Sequence, residues 1–287
     1  MINIEFQKEN LIKSPLNYTG GKYKLLPQLL PLFPDNINTF VDLFTGGCNV
    51  GINVQANKII CNDIESHIIE LLKQFKLLGY NKINKQLNMI ISELQLSNTN
   101  KESYLNLRKL YNNEQTWDKF YLLICHSFNN QIRFNHKGKF NLPFGARTYN
   151  SKMKDNLSLF CNKISNKNII FTNKDFKLIL FDILKNNNLS NYFVYCDPPY
   201  SLNFKEYNGT HYWNTKNDIQ LFNLLDEINK KQGKFALSNI FESKGKINNL
   251  LKEWSKKYNV YYLNNTYKNC NYIRKNIKDI EVLITNY

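Results

Sequence analysis

Asp197-Pro198-Pro199-Tyr200 sets a carboxylate, stiff backbone carbonyls and an aromatic ring side by side. The tetrapeptide follows Tyr192–Cys196, a run of aromatic and β-branched residues that reads as a buried strand. Its two prolines end the strand by withholding N–H donors and fixing φ, and they hold Asp197 extended. Open α/β sheets bind ligands at such carboxyl ends. A carboxylate and a carbonyl there can hold an amino group while a ring stacks on a planar base. Taken alone, the tetrapeptide also fits a plain strand-ending turn with a surface acid.

Two further segments carry chemistry. Phe40-Val41-Asp42-Leu43-Phe44 runs into Thr45-Gly46-Gly47-Cys48, where glycines after a strand allow a tight turn and close ligand approach. The next strand ends in Asn62-Asp63, an acid placed to accept from both ribose hydroxyls of a nucleoside. The three spaced glycines of a dinucleotide site and the Gly-Lys-Ser/Thr of a phosphate loop are both missing. Upstream, Tyr18-Thr19-Gly20-Gly21-Lys22 offers a stacking ring, a close backbone approach and a cation.

The elements that position these residues alternate. Seven short strands are expected at Thr39–Phe44, Lys58–Asn62, Asn168–Thr172, Tyr192–Asp197, Lys234–Ser238, Asn259–Leu263 and Ile280–Thr285. Helices are expected between most of them, including Lys22–Leu32, Glu65–Leu78, Lys216–Lys231 and Lys246–Lys257. That order argues for an α/β fold with a mostly parallel seven-stranded sheet covered on both faces. From about Asn81 to Lys167 the alternation stops. Helices are expected at Ile83–Leu94, Lys101–Tyr111 and Trp117–Phe128, followed by a Gly-containing hairpin over Arg133–Asn141. This interval reads as an inserted domain, 79–167, with 1–78 and 168–287 forming the other.

The chain of 287 residues is 43% hydrophobic and 14% aromatic, a globular composition. No apolar run reaches membrane-spanning length, and Met1–Lys8 has no signal-peptide pattern, so an intracellular, cytoplasmic protein with no membrane role is expected. Six dispersed cysteines and four histidines form no zinc spacing; buried free thiols and no metal are expected. The formal net charge of +15 suits a polyanionic partner, although lysines also merely solubilise surfaces. Six bases against one acid over 131–155, interleaved with aromatics, concentrate that charge.

In this order, Tyr-Thr-Gly-Gly-Lys, Asp-Leu-Phe-Thr-Gly-Gly, Asn-Asp and Cys-Asp-Pro-Pro-Tyr resemble the Dam family of S-adenosylmethionine-dependent DNA adenine-N6 methyltransferases. The segment from Phe128 to Gly145 resembles that family's target-recognition hairpin, and Asn269–Lys275 with Glu281–Tyr287 resembles its C-terminal end. The resemblance implies a Rossmann-like methyltransferase domain and a helical target-recognition domain with a β-hairpin. It implies S-adenosylmethionine as cofactor, touched by Tyr18, Lys22, Asp42, Phe44, Gly46, Gly47 and Asp197, with Asp63 on the ribose and Asp175-Phe176 on the adenine ring. It implies Asp197, Pro198 and Tyr200 as the catalytic corner: two acceptors for the N6 hydrogens of an extruded adenine, and a ring stacked on that base. Double-stranded DNA is the implied partner, met by Asn129, Gln131, Arg133, Asn135, Lys137, Lys139, Pro143 and Arg147. A cognate, separately encoded restriction endonuclease is compatible with this reading.

Cys48 stands where many relatives have Gly, and Asn130-Gln131 replaces a Gly-Leu pair found in several. Gln can pair bidentately with adenine where Leu offers only apolar contact, so GATC is one compatible site among others. The corner suits any exocyclic amine, which leaves cytosine-N4 methylation open. A catalytically silent DNA-binding regulator and an RNA substrate also remain open.

Overall fold

The computed structural model describes residues 11–186, 188–203, 213–264 and 279–287. Met1–Lys8 and the tail segment Asn269–Lys275 lie outside the described residues.

The sheet contains β1 (Ile37–Asp42), β2 (Ala56–Asn62), β3 (Ile169–Thr172), β4 (Tyr192–Cys196), β5 (Lys234–Ser243), β6 (Lys246–Ile247), β7 (Asn259–Leu263) and β8 (Ile280–Thr285). Their order is β3-β2-β1-β4-β5-β8-β7, with β6 paired to β5. The first five run parallel, and β8 inserts antiparallel between β5 and β7. The mostly parallel α/β sheet expected from the sequence is therefore present. Chain order reverses between β1 and β4, whose carboxyl ends are Asp42 and Cys196. This is the crevice where such sheets bind ligands.

Residues along the central strands alternate between two buried clusters. Phe40, Phe193 and Tyr195 face one side; Val41, Val194 and Cys196 face the other. On the second side lie α7 (Phe176–Leu184), α8 (Thr215–Lys230) and α9 (Asn249–Ser255). On the first side the cluster runs without a break into α3 (Ser66–Glu93), α4 (Lys101–Asn113), α5 (Trp117–His126) and α6 (Ser151–Ser165). Phe75 of α3 meets both Tyr121 of α5 and Phe160 of α6 edge-on, which locks these helices together.

Several elements differ from expectation for local reasons. Lys22–Leu32 is a chain of short turns around α1 (Leu26–Leu29), because Pro27 and Pro31 remove helix donors. The two helices expected across 65–94 are one long α3 interrupted at Gly79, where φ is +69° and no side chain is tolerated cheaply. β5 extends beyond Ser238 because β8 continues to pair with it as far as Glu242. Lys246-Ile247 folds back as β6 against β5, leaving the helix to begin at Asn249 under an Asn248 cap.

Two helices lay unread in the sequence. α6 buries Leu157, Phe160, Cys161 and Ile164 at helical spacing under an Asn150 cap, a pattern hidden beneath the lysines. α7 follows directly on Asp175, whose side chain caps it by accepting from the Lys177 amide. The short α2 (Asn49–Asn53) follows the glycine turn.

A candidate active site at the carboxyl edge of the sheet

The ends of β1, β2 and β4 surround a cavity of about 240 Å³. Around it the fold gathers Tyr18, Lys22, Asp42, Phe44, Gly46, Gly47, Asp63, Asp175, Phe176, Asp197, Pro198 and Tyr200. They come from five separate stretches of chain.

The glycine turn forms the floor. Gly46 has φ of +45°, and the Tyr18 ring lies directly over it. Its amide donates to Asp63 Oδ2 at 2.8 Å, while Asp63 Oδ1 accepts from the Glu65 amide at 3.0 Å. Asp63 thus ties the end of β2 to the turn after β1 and lines the cavity. Asn62 is buried beside it. Its amide bonds Leu43 O and Lys174 O, and its oxygen accepts from Thr172 and the Lys174 amide, so it anchors the loop that carries Asp175. Cys48 caps the turn at φ +63°, a left-handed backbone that glycine takes without penalty. This accounts physically for glycine being suited to that position. The Cys48 and Cys61 sulfurs lie 3.6 Å apart, both buried, and burial holds the Cys61 thiol well above its usual pKa.

Phe44, Phe176 and Trp213 form one wall. Phe44 to Phe176 is 5.6 Å between centroids, and Trp213 lies 5.3 Å from each. The Trp213 indole N–H donates to Asp218 at 2.7 Å, which fixes the ring. Sequence reading passed over Trp213, because nothing in a lone tryptophan before a helix cap distinguishes a cavity wall from core.

Lys22, Asp197 and Tyr200 of the cavity lining join Glu281 in a compact polar cluster. Lys22 Nζ lies 2.9 Å from Asp197 Oδ1, 3.3 Å from Glu281 Oε1 and 2.8 Å from the Tyr200 hydroxyl. Tyr200 in turn lies 3.2 Å from Asp197 Oδ1 and 3.1 Å from Glu281 Oε1. Lys22 is 6% exposed. Burial opposes its charge, yet Asp197 and Glu281 together hold its pKa above the ordinary value. Burial raises Asp197 to about 6 against the pull of Lys22, with Glu281 adding to the rise. Asp42, accepting from Thr45 Oγ1 and the Gly51 amide, is raised to about 7, first by burial and further by the neighbouring Asp197 and Asp63. A carboxylate in this setting can accept from an exocyclic amine, and the adjoining Pro198 carbonyl is a second acceptor without charge.

The residues expected to meet nucleic acid lie on a different surface. Asn129 and Asn130 both take left-handed backbone, φ 54° and 53°. Asn tolerates that region, and the Asn130 amide also bonds the Ile124 and Cys125 carbonyls at the end of α5. Gln131 is exposed beyond it. A short antiparallel bridge pairs Phe134 with Phe140, and Asn135 Oδ1 accepts from the amides of Lys137 and Lys139 to set the turn between them. Arg133 grips Asn141 across this hairpin, with Nε to Oδ1 at 2.8 Å. Arg133, Lys137, Lys139, Pro143 and Arg147 are exposed. Arg147 donates to Asn129 Oδ1, and Asn17, next to Tyr18, donates to the Asn129 carbonyl at 2.8 Å. One hydrogen bond thus links the hairpin base to the cavity rim.

Among the described residues no His, Cys, Asp and Glu side chains gather into a group that could hold a metal ion, and no helix is long and apolar enough to cross a membrane.

Comparison with known proteins agrees with this architecture. The chain is 44% identical to the type II methyltransferase M.FokI of Planomicrobium okeanokoites over 96% of its length. It is equally similar, over 96%, to the modification methylase StsI of Streptococcus sanguinis. The chain spans 43% of the length of each of these relatives. A DNA adenine methylase of Haemophilus influenzae is 28% identical over 69% of this chain and 67% of its own. Residues 18–269 match the family model of D12 class N6 adenine-specific DNA methyltransferases, a span that takes in both the cavity and the hairpin, and the chain belongs to that family.

Proposed function

We propose that this chain transfers a methyl group from S-adenosylmethionine to N6 of adenine in a short duplex DNA site, acting on a base extruded from the helix. The observation that carries the reading is the half-buried Asp197, bonded to Lys22 and lining the cavity together with Pro198 and Tyr200.

The residues around the cavity suit the cofactor. Gly46 lets the Tyr18 ring lie against the glycine turn, which sets that ring at the cavity wall to pack on the methionine portion. Asp63 lines the cavity as a carboxylate suited to ribose hydroxyls, and Phe44, Phe176 and Trp213 can enclose an adenine ring whose amine donates to Asp175. Bound there, S-adenosylmethionine supplies an electrophilic methyl on a sulfonium, an excellent leaving group.

The chain's own residues then solve the remaining problem, the poor nucleophilicity of an amine conjugated to a purine. Asp197 and the Pro198 carbonyl accept the two N6 hydrogens, draw the nitrogen toward tetrahedral geometry and stabilise its growing positive charge. Tyr200 stacks on the extruded base, which is unreachable inside a duplex. The hairpin supplies the address. Arg133 and Gln131 are set to read base edges, Asn129 to contact one, and the lysines and Arg147 to meet phosphates, with Asn135 and Pro143 shaping the loop. On this reading 79–167 is the target-recognition domain and 1–78 with 168–287 the catalytic one. The net charge of +15 favours the same partner. Relatives named type II methyltransferase and modification methylase favour a role beside a separately encoded cognate endonuclease, inside the cell.

The test is to incubate the protein with methyl-labelled S-adenosylmethionine and duplexes of varied sequence, then digest to nucleosides. Labelled N6-methyldeoxyadenosine is expected. Label in N4-methylcytosine, or in no nucleoside across all sequences, would overturn the reading.

A further inference from the structure

Glu281 has no part in the chemistry described so far, yet it is buried at 4% exposure inside the apolar strand Ile280–Thr285. A carboxylate is costly in such a place unless it is paired. β8 runs antiparallel to β5, so its first residues lie at the carboxyl edge of the parallel strands, the edge that carries Asp197. Glu281 Oε1 there meets two groups, Lys22 Nζ at 3.3 Å and the Tyr200 hydroxyl at 3.1 Å.

The stoichiometry of this cluster is informative. Lys22 and Asp197 alone would sum to zero charge; among the described residues Glu281 adds a second carboxylate to the one ammonium. Tyr200 has a single hydroxyl proton and two carboxylates within reach, Asp197 at 3.2 Å and Glu281 at 3.1 Å. Lys22 already donates toward the tyrosine oxygen, so that proton serves one carboxylate only.

We propose that Glu281 is a positioning residue for methyl transfer: it engages the Lys22 ammonium and the Tyr200 proton, which leaves the charge and lone pairs of Asp197 available to the incoming amine. The inference rests on the methyl-transfer reading and adds a third acid to the site. Without it, Lys22 neutralises Asp197 when positive charge must develop on the acceptor nitrogen, and electrostatic stabilisation of the transition state is lost. Asp197 is faced by Lys22 from before α1, by Glu281 from β8 and by Tyr200 from its own turn. Asp42 at the end of β1 and Tyr195 of β4 feel its charge as well.

Two variants separate charge from packing. Glu281→Gln keeps the shape and the acceptor oxygen but removes the charge; Glu281→Asp keeps the charge on a shorter arm. For Glu281→Gln, kcat on duplex DNA is expected to fall roughly tenfold or more, with KM for S-adenosylmethionine little changed. Glu281→Asp is expected to regain most of that loss, which a purely structural role would not produce. In parallel, carbon-13 NMR of labelled aspartate carboxyls, assigned with Asp197→Asn, follows Asp197 directly. Its midpoint is expected to move down in Glu281→Gln, because a neighbouring negative charge has gone and Lys22 is fully committed to it. Wild-type kcat and an unmoved Asp197 midpoint in Glu281→Gln would overturn the proposal. A wild-type protein that transfers no methyl to DNA would instead sink the methyl-transfer reading, and the titration would still decide whether Glu281 governs Asp197.

Discussion

A Cβ at residue 46 would stand 2.7 Å from Cδ1 of the Tyr18 ring, well inside van der Waals contact. Two distant segments of chain therefore meet through the absence of one side chain, and the floor of the cavity exists only because residue 46 is glycine. Gly46→Ala should cost about 1–2 kcal/mol of stability from its left-handed backbone alone. It should also displace Tyr18 and weaken S-adenosylmethionine binding by about tenfold or more. Calorimetric titration and thermal melting check the two effects; unchanged values in both would refute the assigned packing.

Trp213 completes the aromatic wall with Phe44 and Phe176. Trp213→Ala should weaken cofactor affinity by about tenfold, the scale of one lost aromatic stacking contact, while leaving DNA affinity unchanged. Tryptophan fluorescence offers a direct readout: S-adenosylmethionine should alter the emission of the wild type, and the change should vanish in Trp213→Ala although Trp117 and Trp254 remain.

Exposed bases on the hairpin should divide into two kinds. Arg133→Ala should relax discrimination at one base pair by about 1–3 kcal/mol. Lys137→Ala or Lys139→Ala should instead weaken binding to every duplex alike and lower the salt dependence by about one counterion each. Binding isotherms on a panel of duplexes at several salt concentrations distinguish the patterns.

Activity should carry an acid limb set by Asp197. Only the ionised carboxylate offsets the positive charge that grows on the amine, and burial raises this group to about 6. Rate is therefore full above that pH and falls as pH drops through it, by about tenfold per pH unit well below the midpoint. Lys22, whose pKa is held above its ordinary value, stays charged throughout and adds no limb in this range. A profile flat to pH 5 would contradict the role given to Asp197.

Much of this was legible in the sequence because the informative residues sit at strand ends. All seven expected strands exist, and the motif residues Tyr18, Lys22, Gly46, Asp63, Asp175 and Asp197 converge on one cavity. Glu281 was within reach: an isolated acid between Ile280 and Val282 is a buried charge that demands a partner, though only the antiparallel insertion of β8 reveals which one. Trp213 gave no such signal. Asn62 acts through the relative placement of β2 and the loop after β3, a relation absent from any local pattern. Along 151–165 polar residues interrupt the spacing of Leu157, Phe160, Cys161 and Ile164, and the apolar face is complete only where it packs in the core.

The most direct test of the account is turnover by Asp197→Asn on duplex DNA that the wild type methylates. The substitution keeps the shape of the corner and leaves Lys22 paired with Glu281. Methyl transfer should fall by roughly 100-fold or more, with S-adenosylmethionine and DNA still bound. Turnover close to wild type would contradict the central claim that this carboxylate activates the amine.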